Sequence, residues 1–96
     1  MKFIVLWSLK DSVDQMAMAE LMGRRADYKI PKAMKILKEY WTSKDSPAVI
    51  QIVEANESAP LMINTVNWID TMTVDIFPVV EWEEGLKAIT RHLGQD

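Results

Sequence analysis

Four tryptophans and two tyrosines stand in 96 residues, and they are the residues whose types and spacing best suit chemistry. Trp7, Tyr40, Trp41 and Trp68, with Glu39, Thr42 and Asp70 close to them along the chain, combine flat apolar walls with a few polar anchors. That make-up suits a pocket for a small apolar or aromatic molecule, of simple aromatic or polyketide-like type. The same aromatics would serve equally as plain core, and residue types alone leave both uses open. Tyr40, Trp41, Thr42, Trp68 and Asp70 form the candidate ligand-binding set, and no catalytic residue is assigned.

Other chemistries have less behind them. His92 is the single histidine. It is a candidate general base or haem ligand, set against the plainer use of complementing a helix C-terminus. Glu81, Glu83 and Glu84 put three carboxylates within four residues, but no calcium-type loop accompanies them, so they read as an acidic helix start. No metal or cofactor is expected. The absence of cysteine excludes disulfides, thiolate ligands and thiol nucleophiles. Gly23, Gly85 and Gly94 lie too far apart for a phosphate-cradling loop, and no serine sits in a nucleophile elbow.

The net charge of −3 hides an asymmetry: residues 1–44 carry nine Lys/Arg against five Asp/Glu, and residues 54–96 two against eight. The basic group Arg24, Arg25, Lys29, Lys32, Lys35 and Lys38 is interrupted by Asp27 and Glu39 and lacks an aromatic–basic RNA pattern. It reads as solvated surface, and no nucleic-acid partner is expected. The opening KFIVLWSL is apolar over eight residues only, which fits a first strand better than a leader or a membrane span. No membrane partner is expected, and a cytoplasmic location is the default. Residues 1–96 read as one domain.

The elements that must position the aromatics are legible from periodicity. Residues 35–42 and 48–55 read as two strands around a polar turn at Ser43, Lys44, Asp45, Ser46 and Pro47. Segment 48–55, AVIQIVEA, is apolar on both parities except at Gln51 and Glu54, which marks an interior strand. Residues 3–9 read as a second interior strand. Ser12 and Gln15 have capping-box spacing, opening a helix to about residue 27 with Met16, Ala17, Leu21 and Tyr28 inward and Met18 and Met22 outward. Glu20 and Arg24 are spaced to pair on it. Asn56 or Ser58 caps a second helix, with Pro60 in its first turn and Met62, Val66 and Ile69 leading its apolar face. Residues 72–81 form a last strand, placed at a sheet edge by Pro78. Trp82, Leu86, Ile89 and Leu93 make a narrow seam on a C-terminal helix stopped by Gly94.

The order β-α-β-β-α-β plus a terminal helix predicts a ferredoxin-like α+β fold: a four-stranded antiparallel sheet with two helices on one face. The other face is left bare, with Val49, Gln51, Val53, Phe77 and Val79 expected on it. A face so apolar needs a cover, which predicts a homodimer through the sheet, with the terminal seam as a clasp.

Several short segments carry a resemblance over nearly the whole chain. KFIVLWSL, the pair Tyr40-Trp41 closing the second strand, IVEAN leading into a helix, Trp68-x-Asp70, and Pro78-Val79-Val80 before an acidic run resemble a domain-of-unknown-function family. That family of small uncharacterised proteins belongs to the dimeric α+β-barrel superfamily. Its second strand typically ends in Gly-Arg-Trp-His; here Thr42 stands in the histidine's place, so any role of that histidine is absent from this chain. The resemblance implies a dimeric barrel with ligands held between sheet and helices. Relatives in the superfamily include cofactor-independent monooxygenases, lactone isomerases and haem proteins, so fold does not select a function. Three readings stand: a small-molecule-binding homodimer, a monooxygenase- or isomerase-like enzyme, and a structural module without a ligand.

Overall fold

The computed structural model describes residues 1–11 and 13–94. The elements run β1 (Lys2–Leu9), α1 (Gln15–Asp27), β2 (Met34–Trp41), β3 (Val49–Ala55), α2 (Ala59–Val66), β4 (Met72–Val79) and α3 (Trp82–Leu93). The four strands form one antiparallel sheet in the order β2-β3-β1-β4. This is the ferredoxin-like arrangement, with β1 and β3 interior. β4 is an edge strand, where the missing N–H of Pro78 costs no ladder bond.

Cross-strand partners share a face, so register and burial together define the two sides of the sheet. Phe3, Val5 and Trp7 of β1 are buried with Val49, Val53 and Ala55 of β3, Met34 of β2 and Met72 of β4. Leu21 of α1 and Leu61 of α2 complete this core, so both helices cover the same face. The structure overturns the expectation that Val49, Gln51 and Val53 lie on the bare face. All three are buried beneath the helices, and the alternate residues Ile50 and Ile52, partners of Leu6 and Ile4, face outward. Phe77 and Val79 do lie on the bare side, paired with Ile4 and Lys2. The doubly apolar strands 1 and 3 gave no clue to which parity points where, because both are apolar.

β2 contains a bulge between Ile36 and Lys38. Met34 and Ile36 point to the core, and strict alternation would send Lys38 and Tyr40 after them. The extra residue, Leu37, shifts the parity, so Glu39 opposes buried Gln51 and Trp41 opposes buried Val49, while Tyr40 opposes Ile50 on the outer face. Re-aiming a side chain is the usual consequence of a bulge.

The helices also differ in detail from the periodic reading. Asp14 caps α1, its carboxylate accepting from the Ala17 N–H at 2.8 Å, while the expected cap Ser12 lies outside the described residues. Met16 is 76% exposed and Met18 packs on the core, so the inward stripe is Met18, Leu21, Arg25 and Tyr28. Arg24 pairs with Asp70 rather than Glu20. Ser58 is the N-cap of α2, without a side-chain bond. Its buried residues are Pro60, Leu61 and Asn64, whereas Met62, Val66 and Ile69 are exposed. The inward face of α2 contains a polar residue that hydropathy alone assigns to solvent.

α3 buries none of its residues; Trp82, Leu86, Ile89 and Leu93 are all exposed. The radius of gyration is 16.2 Å, against ~12–13 Å for a compact domain of this length. The excess reflects an arm: α3 leaves the body at the end of β4. No helix among the described residues is long and apolar enough to cross a membrane.

Candidate functional site

A cleft opens between the sheet and the helices, lined by Trp7, Val49, Gln51 and Met72 from β1, β3 and β4, by Glu39 and Trp41 from β2, and by Arg25, Tyr28, Ile30, Asn64 and Trp68 from the helical layer. It holds ≈ 350 Å³ of empty space counted out to its mouth, of which ≈ 30 Å³ is open to the centre of a water molecule. The enclosed part therefore admits about one or two waters, well short of ligand-pocket sizes of ~300–1,000 Å³, and a bound ring would sit mainly in the open mouth.

The floor of the cleft is a single polar network centred on Glu39. Arg25 donates through Nε and Nη2 to the Glu39 carboxylate at 3.0–3.1 Å. The Trp41 indole N–H donates to Oε2 at 2.9 Å, and Gln51 Nε2 donates to Oε1 at 2.7 Å. Behind it the Trp7 indole N–H donates to Gln51 Oε1 at 2.8 Å. An indole only donates, so this bond fixes the Gln51 amide with its nitrogen toward Glu39. Burial pushes the Glu39 carboxyl up, but the hydrogen bonds from Arg25, Trp41 and Gln51 and the Arg25 charge outweigh it. They hold the group below its ordinary value. Glu39 is thus an ionised structural centre whose lone pairs are occupied, not a free base.

The roof is a second network. Asn67 Nδ2 donates to the Ile63 carbonyl and to the Tyr28 hydroxyl, and that hydroxyl donates to Asn64 Oδ1 at 2.7 Å. The Tyr28 ring meets Trp68 edge-on at 5.2 Å between centroids. Arg24 lies over the Trp68 ring, 4.5 Å from its centroid, and donates to both Asp70 oxygens and to the Asn67 carbonyl. These hydrogen bonds hold the Asp70 carboxyl below its ordinary value, although the side chain is well exposed. Arg24 so clamps Trp68 against the cleft through a cation–π contact.

Of the five sequence-selected residues, Trp41 and Trp68 line the cleft. Tyr40 is 52% exposed on the opposite face of the sheet, moved there by the bulge. The Thr42 hydroxyl donates to the Pro47 carbonyl and accepts from the Lys44 N–H, closing the β2–β3 turn. Asp70 stands outside the cleft with Arg24. The cleft's own polar groups, Arg25, Asn64 and Gln51, were not selected. Gln51 had a readable signal, as the one uncharged polar residue of β3. Arg25 had none, because it belonged to a basic run assigned to solvent. His92 lies in the exposed last turn of α3, remote in the chain from every cleft residue.

Among the described residues, no group of three or more His, Cys, Asp or Glu is arranged to hold a metal ion. No curated protein and no solved structure matches the chain significantly. A family model described as a domain of unknown function, DUF3303, matches residues 1–93, and the chain belongs to that family.

Proposed function

We propose that the protein is a homodimer that binds a small aromatic molecule in the cleft between its sheet and helices. The observation that carries this reading is the cleft itself: two indole walls, Trp41 and Trp68, held apart by polar networks that fix their orientation from behind. A core made only for packing has no need of an ionised carboxylate with four donor groups converging on it. The occupancy of Glu39 also favours binding over monooxygenase- or isomerase-like catalysis, since no carboxylate in the cleft is free to take a proton. The size of the cleft favours a single ring over a fused polyketide.

Assembly rests on the surfaces left uncovered. Ile4, Leu6, Ile50, Ile52, Phe77 and Val79 form a continuous apolar sheet face, and the arm α3 carries a second apolar seam beside it. A groove lined by Lys2, Glu54, Val79, Val80, Glu81 and Glu84 runs where α3 leaves that face. A second copy packed sheet to sheet, with each α3 crossing to its partner, covers all three and completes a dimeric α+β barrel. Such contacts bury ~1,200–2,000 Å².

Replacing Trp41 tests the binding site. Aromatic stacking adds ~0.5–1.5 kcal/mol beyond area burial, and Trp41 also supplies a donor to Glu39. Trp41→Ala should therefore weaken binding of a single-ring aromatic about tenfold or more, read by calorimetric titration. Equal affinity in the variant removes the cleft as the site.

A further inference from the structure

We infer that the cleft selects aromatic compounds bearing an uncharged hydrogen-bond acceptor, such as an aryl ketone or aldehyde, and that Asn64 reads that acceptor. The inference rests on the cleft being a binding site and adds the ligand's chemistry.

The direction of each hydrogen bond in the roof determines what remains unused. Asn67 Nδ2 faces the Ile63 carbonyl, which only accepts, so the same nitrogen donates to Tyr28. The Tyr28 hydroxyl, having accepted, has one proton to give, and it goes to Asn64 Oδ1. The Asn64 amide is thereby oriented with its nitrogen away from Tyr28. That nitrogen has no hydrogen-bond partner among the described residues, although Asn64 is only 5% exposed. No sealed side-chain nitrogen or oxygen among the described residues lacks a partner, so the nitrogen has an open side, and Asn64 opens onto the cleft.

The floor leaves the same kind of group. Gln51 is engaged at both ends, the indoles of Trp7 and Trp41 have given their only protons, and Glu39 is saturated. Arg25 binds Glu39 through Nε and Nη2 and makes no hydrogen bond through Nη1 among the described residues. The cleft side-chain nitrogens with no partner among the described residues, Asn64 Nδ2, Arg25 Nη1 and Trp68 Nε1, are all donors, whereas the side-chain oxygens of Glu39, Gln51, Asn64 and Tyr28 each already accept a hydrogen bond. A phenol can accept from the Asn64 amide, but its own proton must then share an oxygen that already accepts a hydrogen bond. A ligand with no polar group leaves a nearly buried amide unpaired, which polar sites discriminate against strongly. A carboxylate satisfies the donors but sits beside the Glu39 charge, which already neutralises Arg25. A neutral carbonyl meets all three conditions.

Four single-ring probes of similar size separate these cases: acetophenone, phenol, ethylbenzene and benzoate, each titrated into the protein calorimetrically. Acetophenone should bind at least tenfold more tightly than each of the others. Asn64→Asp keeps the acceptor for Tyr28 and removes the donor. It should cost acetophenone at least tenfold, so that its lead over ethylbenzene disappears, and move phenol up the order. If all four bind the wild-type protein equally, or benzoate binds best, the acceptor rule is overturned while the cleft remains a binding site. If none binds, the binding function itself fails. The wild-type ranking decides the matter even if Asn64→Asp does not fold.

Discussion

Glu39→Gln is expected to lower the free energy of unfolding by about 2–3 kcal/mol and to flatten its acid dependence. The substitution keeps the shape but removes the charge on which Arg25, Trp41 and Gln51 converge. It also brings an amide nitrogen into a shell made of donors. Breaking a buried ion pair costs ~3–5 kcal/mol. Here the Arg25 and Glu39 side chains retain 29% and 16% of their exposure, which places the loss toward or below the low end of that range. The pH behaviour has a definite sign. The folded-state value of Glu39 lies below its unfolded value, so its contribution is complete above the ordinary glutamate pKa of about 4.3 and is lost as pH falls through the folded value. Urea unfolding at pH 6 and pH 3 should thus show a wide gap for the wild-type protein and a narrower one for the variant. The surface pair Arg24–Asp70 shifts in the same direction and keeps the variant's slope from vanishing. A variant within about 0.5 kcal/mol of wild type at pH 6, with an unchanged acid limb, contradicts the central role given to Glu39.

Phe77→Asp should convert the proposed dimer to monomer. Phe77 sits on the uncovered sheet face opposite Ile4 and is 40% exposed in the single chain, so it is dispensable to the core beneath the helices. Placed against a second copy, the carboxylate would be buried without a partner on both sides of the contact. That costs about 4 kcal/mol, or roughly a thousandfold in the dissociation constant. Sedimentation at micromolar concentration should show a wild-type dimer and a variant monomer, with matching far-ultraviolet circular dichroism. A wild-type monomer under those conditions contradicts the sheet-to-sheet dimer.

What the sequence made legible, and what it hid, follows from the kind of signal each residue carries. Interior strands β1 and β3 stood out because both of their parities are apolar, and that placed them correctly at the centre of the sheet. The same property concealed which parity faces the helices, so Val49, Gln51 and Val53 were assigned to the wrong side. The bulge at Leu37 leaves no mark on hydropathy, yet it decides that Trp41 and Glu39 enter the cleft and Tyr40 does not. On α2 the exposed Met62, Ile63 and Val66 outnumber the inward Pro60 and Leu61, and Asn64 turns inward because the Tyr28 hydroxyl, itself held by Asn67, provides for its amide oxygen. Such inward polar residues depend on a partner distant in sequence, which periodicity within one helix does not register. Trp41 and Trp68 were found because indole size makes burial the default wherever the backbone allows it.

The binding function is tested most directly by the indole N–H resonances during a titration with acetophenone. Trp7, Trp41 and Trp68 line the cleft, whereas Trp82 stands 77% exposed on α3, so one spectrum carries both the site and its control. Occupation of the cleft should shift the first three resonances along one saturable curve and leave Trp82 in place. Saturable shifts confined to Trp82, or no saturable shift at any indole up to the solubility limit, would contradict a ligand site between the sheet and the helices.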